Sequence, residues 1–148
     1  NISSYNKRTL ECEKMKRILV VIDEYASIMN QDRVIANNLE NTISELGAKA
    51  RAAGIHLIVC TQTPKADIIT TKIRNNLTCR IGLRVTDNVA SQLILDKSGA
   101  EDLLGKGDMF FKGANTSQLL RLKSPYVSED EVLDLIIKLN ELRKEENE

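Results

Sequence analysis

The 148-residue sequence has no tryptophan, and aromatic residues make up only 3% of it, which leaves too few rings for a platform of stacked nucleic-acid bases. It has no excess of either charge: 21 Lys and Arg balance 21 Asp and Glu. That balance argues against a generally basic nucleic-acid binder, although a local basic patch remains open. It has no long apolar run. The longest, Ile18–Ile22, falls far short of the roughly 20 residues a membrane-spanning helix needs. No secretory leader is visible. Cysteine is sparse and odd in number: Cys12, Cys60 and Cys79 match no zinc-ligand spacing and suit a reducing compartment. Cys60 and Cys79 sit in apolar runs and are expected to be buried. The single histidine, His56, lies between Ile55 and Leu57 and is expected to be a packed structural residue.

What is present is a core's worth of apolar residues, 42% of the chain, in alternating patterns. Residues 1–17 are polar and read as a connector with at most a helical turn or two. Ile18–Ile22 is a β-branched run typical of a parallel strand buried on both faces. From Val34 to Ala53, apolar residues at Ile35, Leu39, Ile43, Leu46 and Ala50 form a helical stripe, with Gly54 as its stop. Residues 55–60 form a second strand, 66–77 a helix and 79–85 a third strand. Thr86 or Asp87 caps a helix that runs to Leu95. A short turn and helix spans Ser98–Leu104, and 108–112 pairs with 118–122 around Gly113-Ala114-Asn115. Ser128 and Glu131 form a capping box for a final helix with its stripe at Val132, Leu135, Ile136, Leu139 and Leu142. The alternation predicts an α/β domain over 18–143, with a mostly parallel sheet and flanking helices, and a charged tail over 144–148.

The sharpest chemical signal is Ile18-Leu19-Val20-Val21-Ile22-Asp23-Glu24, an apolar strand running into two acids. A rigid buried strand that ends in Asp-Glu is a Walker B pattern. It places Asp23 to hold a nucleotide's magnesium and Glu24 to polarise the water that attacks the γ-phosphate. Taken alone, these seven residues read equally well as a strand followed by a helix whose acidic start suits the helix dipole.

Other segments narrow the choice. Lys49-Ala50-Arg51-Ala52-Ala53-Gly54-Ile55-His56-Leu57 with Thr61-Gln62 resembles the K-A-R-A-A-G-I-H-L…T-Q-R-P segment of the FtsK/SpoIIIE family. Asp67-Ile68-Ile69-Thr70 resembles its D-V-I-T. Ile94-Leu95-Asp96, Gly99-Ala100-Glu101, Leu103-Leu104-Gly105 and Gly107-Asp108-Met109 resemble its I-L-D…G-A-E-x-L-L-G-x-G-D-M. Asn1-Ile2 with Tyr5-Asn6 resembles its R-N-I-x-x-Y-N, so the resemblance runs from Asn1 to about Val132.

The resemblance implies the distal part of a RecA-like P-loop ATPase core using ATP and Mg2+. It implies a ring, a hexamer by the same resemblance, around double-stranded DNA, on the cytoplasmic side, with an upstream segment as the place for any membrane anchor. Arg51 matches the family's arginine finger, which reaches into a neighbouring subunit's site. The guanidinium stays charged and grips phosphate oxygens through two donors. The bland alternative is a surface Arg favouring a helix C-terminus. Gln62 matches a polar sensor of the γ-phosphate, its alternative being a loop amide bonded to backbone. Lys65, Lys72 and Arg74 fall in the segment that resembles the DNA-facing pore loop and helix. There they would contact phosphates without reading sequence; the alternative is a solvated helix face.

The departures are specific. Thr63 stands where the family has its loop arginine, and the stretch from Glu24 to Lys49 is somewhat longer than usual. No G-x-x-x-x-G-K-[ST] occurs, so the sequence reads as beginning after the Walker A motif of a longer chain, and no winged-helix module is visible. Two other readings share these features: a type VII secretion ATPase that moves protein, and a non-hydrolysing assembly module.

Overall fold

The computed structural model describes residues 1–145. A short helix, α1 (Ile2–Asn6), opens on Asn1, whose side chain accepts the Ser4 amide at 2.9 Å. A single 3-10 turn comes next at Glu11–Glu13. Strand β1 (Ile18–Ile22) leads through Asp23 and Glu24 into α2 (Tyr25–Met29) and then α3 (Arg33–Ala53). Strand β2 (Ile55–Val59) lies parallel to β1 in a register that runs from Ile18 opposite Ile55 to Ile22 opposite Val59. After α4 (Thr71–Asn76), strand β3 (Arg80–Leu83) leads into α5 (Asn88–Leu95). The antiparallel hairpin β4 (Asp108–Lys112) and β5 (Leu119–Lys123) precedes α6 (Glu129–Glu145).

The expected strands and long helices are therefore present, and the class is α/β with a parallel pair. β3 pairs not with that pair but antiparallel with β4, giving a second sheet in the order β3-β4-β5. No helix among the described residues is long and apolar enough to cross a membrane.

Helix α3 shows why its ends fall where they do. The Asp32 carboxylate accepts the Val34 and Ile35 amides at 2.8 and 3.3 Å, occupying donors that a first turn leaves open. At the other end Gly54 adopts φ +81°, and its amide returns to the Arg51 carbonyl at 3.3 Å. The Gly54 carbonyl then accepts the Ile18 amide at 3.0 Å, so the end of α3 sets where β1 begins. The α3 stripe feeds the first core, in which Tyr25, Ala26, Ile43, Ile68 and Ile73 are buried against the inner face of β1–β2, Ile22, Leu57 and Val59. A second core of Leu95, Ala100 and Leu103 packs with Val85 and Phe110. Gly82 admits α5 there: a Cβ on it would lie 2.9 Å from Leu95 Cδ1.

The two cores are fastened at Asp96, which accepts hydrogen bonds from Arg74, Arg80 and Lys112. Burial pushes its carboxyl up, but hydrogen bonds from Lys112 and Arg74 and the charge of Arg80 outweigh that and hold it at about 2. Arg80 also donates to the Leu77, Arg74 and Ile94 carbonyls, clamping the ends of α4 and α5.

Several expectations are corrected. Strand β1 is covered on one face only, and there just half-buried at Val20 and Ile22; Leu19 and Val21, with Ile58 on β2, are exposed on the other. For the same reason His56, opposite Leu19 in the register, is exposed rather than packed, and so is Cys60. Cys79, ahead of β3, is exposed too. The helix expected over 66–77 is only Thr71–Asn76. Residues 65–69 form a turn closed by the Ile68 and Ile69 amides on the Lys65 carbonyl. The β-branched run Ile68-Ile69-Thr70-Thr71 resists helix, and Thr70 then caps the shortened α4. The capping box opens α6 as expected, with Ser128 and Glu131 bonded reciprocally, but the stripe from Val132 to Leu142 is exposed. Of the charged tail, Lys144 and Glu145 extend α6, and residues 146–148 lie outside the described residues.

Candidate active site

Parallel register brings the chemistry to one end of the β1–β2 pair. Since Ile22 faces Val59, the next two residues on each strand, Asp23-Glu24 and Cys60-Thr61, emerge side by side. Two backbone bonds carry the pairing past the strands: the Cys60 amide to the Ile22 carbonyl and the Tyr25 amide to the Cys60 carbonyl, both 2.8 Å. This is the carboxyl end of parallel strands, where α/β sheets place their ligands.

Glu24 is half-buried there and fully engaged. Its Oε1 accepts the Thr61 hydroxyl at 2.6 Å and the Ala26 amide at 3.2 Å, and its Oε2 accepts the Gln62 amide at 2.9 Å. The Thr61 hydroxyl, followed by the Gln62 amide, holds its carboxyl below the usual carboxylate range. The Ala26 contact makes Glu24 the N-cap of α2, so the helix-start role open to it in the sequence is also filled. Asp23 is exposed beside it, with no hydrogen-bond or ion-pair partner among the described residues.

Gln62 enters through its backbone N–H, while its side chain is exposed at the mouth of a cleft of about 870 Å3. Lys65 and Arg74 line that cleft together with Asp87 and Asp96. Lys65 is exposed on the 61–66 loop. Arg74 is tied to Asp96, and Lys72 donates to Asn41 on α3, away from the cleft. Arg51 stands apart. It is exposed in the last turn of α3, just before β2 begins, whereas Glu24 follows the end of β1. A five-residue strand, roughly 17 Å, separates the two ends. The structure thus assembles Asp23, Glu24, Thr61 and Gln62, and leaves Arg51 unable to reach them within one chain.

Thr61 is the residue that sequence reasoning missed. In the sequence it is visible only as part of a motif, and the signal that finds it is register: counting on from Ile22 opposite Val59 sets Thr61 level with Glu24.

A magnesium ion suits this corner. It takes hard oxygen donors, commonly one or two carboxylates with water and phosphate completing the shell. Asp23 offers one free carboxylate, and no cluster of three or more His, Cys, Asp or Glu among the described residues would enclose an ion unaided.

Known proteins resemble this chain in sequence and in fold. A sequence model of the FtsK/SpoIIIE family matches residues 3–66. The DNA translocase FtsK of Haemophilus influenzae is 43% identical over 83% of this chain, and that of Clostridium tetani is 44% identical over 89%. The chain spans only 23% and 18% of those two proteins. Among solved structures, the pCW3 conjugation coupling protein TcpA, in monomer form with ATPgS, superposes with a TM-score of 0.81 at 36% identity. It covers 95% of this chain and 41% of its own. The cytoplasmic domain of the Thermomonospora curvata type VII secretion ATPase EccC superposes with a TM-score of 0.75 at 23% identity, covering 93% of this chain and 16% of its own; that likeness is one of fold. The fold is that of P-loop ATPase motor domains.

Proposed function

Because this chain belongs to the FtsK/SpoIIIE family, we propose that it is the distal part of an ATP-driven motor that moves double-stranded DNA, with Asp23 and Glu24 as its Walker B acids. The observation that carries this reading is the Glu24 carboxylate held at the carboxyl end of the parallel pair, with the free Asp23 carboxylate beside it. The names of the FtsK relatives and of the TcpA coupling protein support DNA as the cargo. The likeness to EccC carries the fold alone and gives no comparable support to a protein cargo.

In this reading Asp23 would hold Mg2+, which would neutralise charge on the phosphates of the ATP substrate. Glu24 orients and polarises the attacking water, and Gln62 senses the γ-phosphate from the adjoining loop. Arg51 acts in trans. Its place at the opposite end of the sheet from Glu24 supports a ring, hexameric in our reading, in which one subunit's α3 end meets the next subunit's site. Lys65, Lys72 and Arg74 contact DNA phosphates, and Arg74 does so by exchanging its Asp96 partner. The motor works on the cytoplasmic side. These 148 residues contain no phosphate cradle of the G-x-x-x-x-G-K-[ST] type, so by themselves they turn over no ATP.

The test is ATP hydrolysis by the full-length protein with and without double-stranded DNA, together with displacement of a third strand from a DNA triplex. Glu24→Gln is expected to abolish hydrolysis while leaving ATP binding intact, and Asp23→Ala to weaken magnesium-dependent binding as well. Normal hydrolysis by Glu24→Gln would sink the Walker B assignment. Absence of DNA stimulation and of triplex displacement in the unmutated protein would sink the DNA cargo.

A further inference from the structure

The Thr61 hydroxyl has one proton, and it is committed. It donates to Glu24 Oε1 at 2.6 Å while its oxygen accepts the Thr63 amide at 3.1 Å. The neighbouring Gln62 amide takes the other carboxylate oxygen at 2.9 Å. The loop that begins at Thr61 therefore grips Glu24 by both oxygens. The same loop continues through Pro64 to Lys65 on the wall of the cleft. A carboxylate with both oxygens engaged by donors is fixed in orientation and must break those bonds before it can turn an oxygen towards a water. In this arrangement Glu24 is parked and poorly placed to polarise a water.

We propose that Thr61 is a positioning residue that tethers the Glu24 carboxylate to the 61–66 loop, so that displacement of this loop by nucleic acid frees the carboxylate for its work on water. The proposal rests on the reading of Glu24 given above. It makes Thr61 the mechanical link between the cleft and the hydrolytic site: engagement of Lys65 pulls on Thr63 and Thr61, and the donors leave Glu24 together. Gln62 takes part through its backbone, so its side chain is not needed for the tether.

The experiment measures ATP hydrolysis by the full-length protein, without and with double-stranded DNA, in Thr61→Val, Thr61→Ser and Glu24→Gln. Valine keeps the shape and loses the hydroxyl; serine keeps the hydroxyl. Thr61→Val is expected to raise the DNA-free rate on the order of tenfold, the worth of one hydrogen bond to a charged group. The DNA stimulation ratio falls by the same factor and KM for ATP is unchanged. Thr61→Ser restores the wild-type ratio. Thr61→Ala replaces the valine variant should the latter melt at a lower temperature. An unchanged stimulation ratio in Thr61→Val overturns the tether. So does an equal fall of both rates that serine fails to restore, since that marks a merely structural residue. Normal hydrolysis by Glu24→Gln overturns the parent reading instead, which separates the two failures.

Discussion

Arg121 on β5 reaches across the hairpin to Asp108 on β4 and grips it with two donors, Nε at 3.1 Å and Nη2 at 2.7 Å from the two carboxylate oxygens. The Leu104 amide adds a third bond at 2.8 Å, so the buried Asp108 closes the hairpin and the preceding turn at once. Hydrogen bonds from Arg121 and then Leu104 hold its carboxyl at about 2, against an ordinary 3.8.

The lowered value fixes a pH window. A carboxyl with a depressed folded-state pKa adds stability that is present above its unfolded value and is lost as pH falls through the folded one. Asp108 and Asp96, both held at about 2, should therefore let the melting temperature fall between pH 3.8 and 2. The difference in Tm between wild type and Asp108→Asn is expected to be constant near neutrality and to shrink across that window. A difference that stays constant down to pH 2 would deny the pair its role.

Gly54→Ala should cost about 1–3 kcal/mol, from a left-handed φ of +81° and from a Cβ only 2.6 Å from Ile2 Cδ1. At this chain length each kcal/mol lowers Tm by about 2–4 °C. Calorimetry of Gly54→Ala in an Ile2→Ala background separates the two parts, since only the backbone strain survives there. The paired changes should then be less than additive.

Tyr25→Phe is expected to be neutral or stabilising by up to about 1 kcal/mol. The Tyr25 hydroxyl is buried without a hydrogen-bond partner among the described residues. Burial, followed by the charge of Glu40, pushes its pKa up to about 12, so no phenolate role opposes the change. A clear drop in Tm would show that the hydroxyl has an acceptor.

Arg51→Ala tests the proposed trans role in the full-length protein. The expected result is retained ATP binding with turnover reduced by roughly 10³–10⁵, the range for arginine fingers in GTPases. Stability should change by less than about 1 kcal/mol, because Arg51 is exposed at a helix end. Unchanged turnover with DNA present would leave Arg51 a dipole-pairing surface residue.

Features settled by near neighbours could be read from the sequence. Gly54, Ser128 and Glu131 cap their helices through bonds spanning three or four residues, and the period of Ile35, Leu39, Ile43 and Ala50 needs no distant partner; the Asp32 cap, equally local, was not picked out. The choice of partner for β3 could not be read: Arg80-Ile81-Gly82-Leu83 suits either sheet, and its place beside β4 is decided by Leu95 packing over Gly82 and by Lys112 meeting Asp96. Thr61 and Glu24 are 37 positions apart, and only the β1–β2 register joins them. The exposure of His56 and Cys60 was likewise beyond reach, because an apolar strand looks the same whether one or both of its faces are covered.

Leu19, Val21 and Ile58 lie bare on a two-stranded parallel sheet, and that has a practical side. Water wets this surface at a cost, and each strand offers unsatisfied backbone groups along an outer edge. Expressed by itself, the 148-residue segment is expected to fold but to associate into concentration-dependent multimers. Aspartate at Val21 should raise the soluble yield, and mild detergent should disperse the multimers.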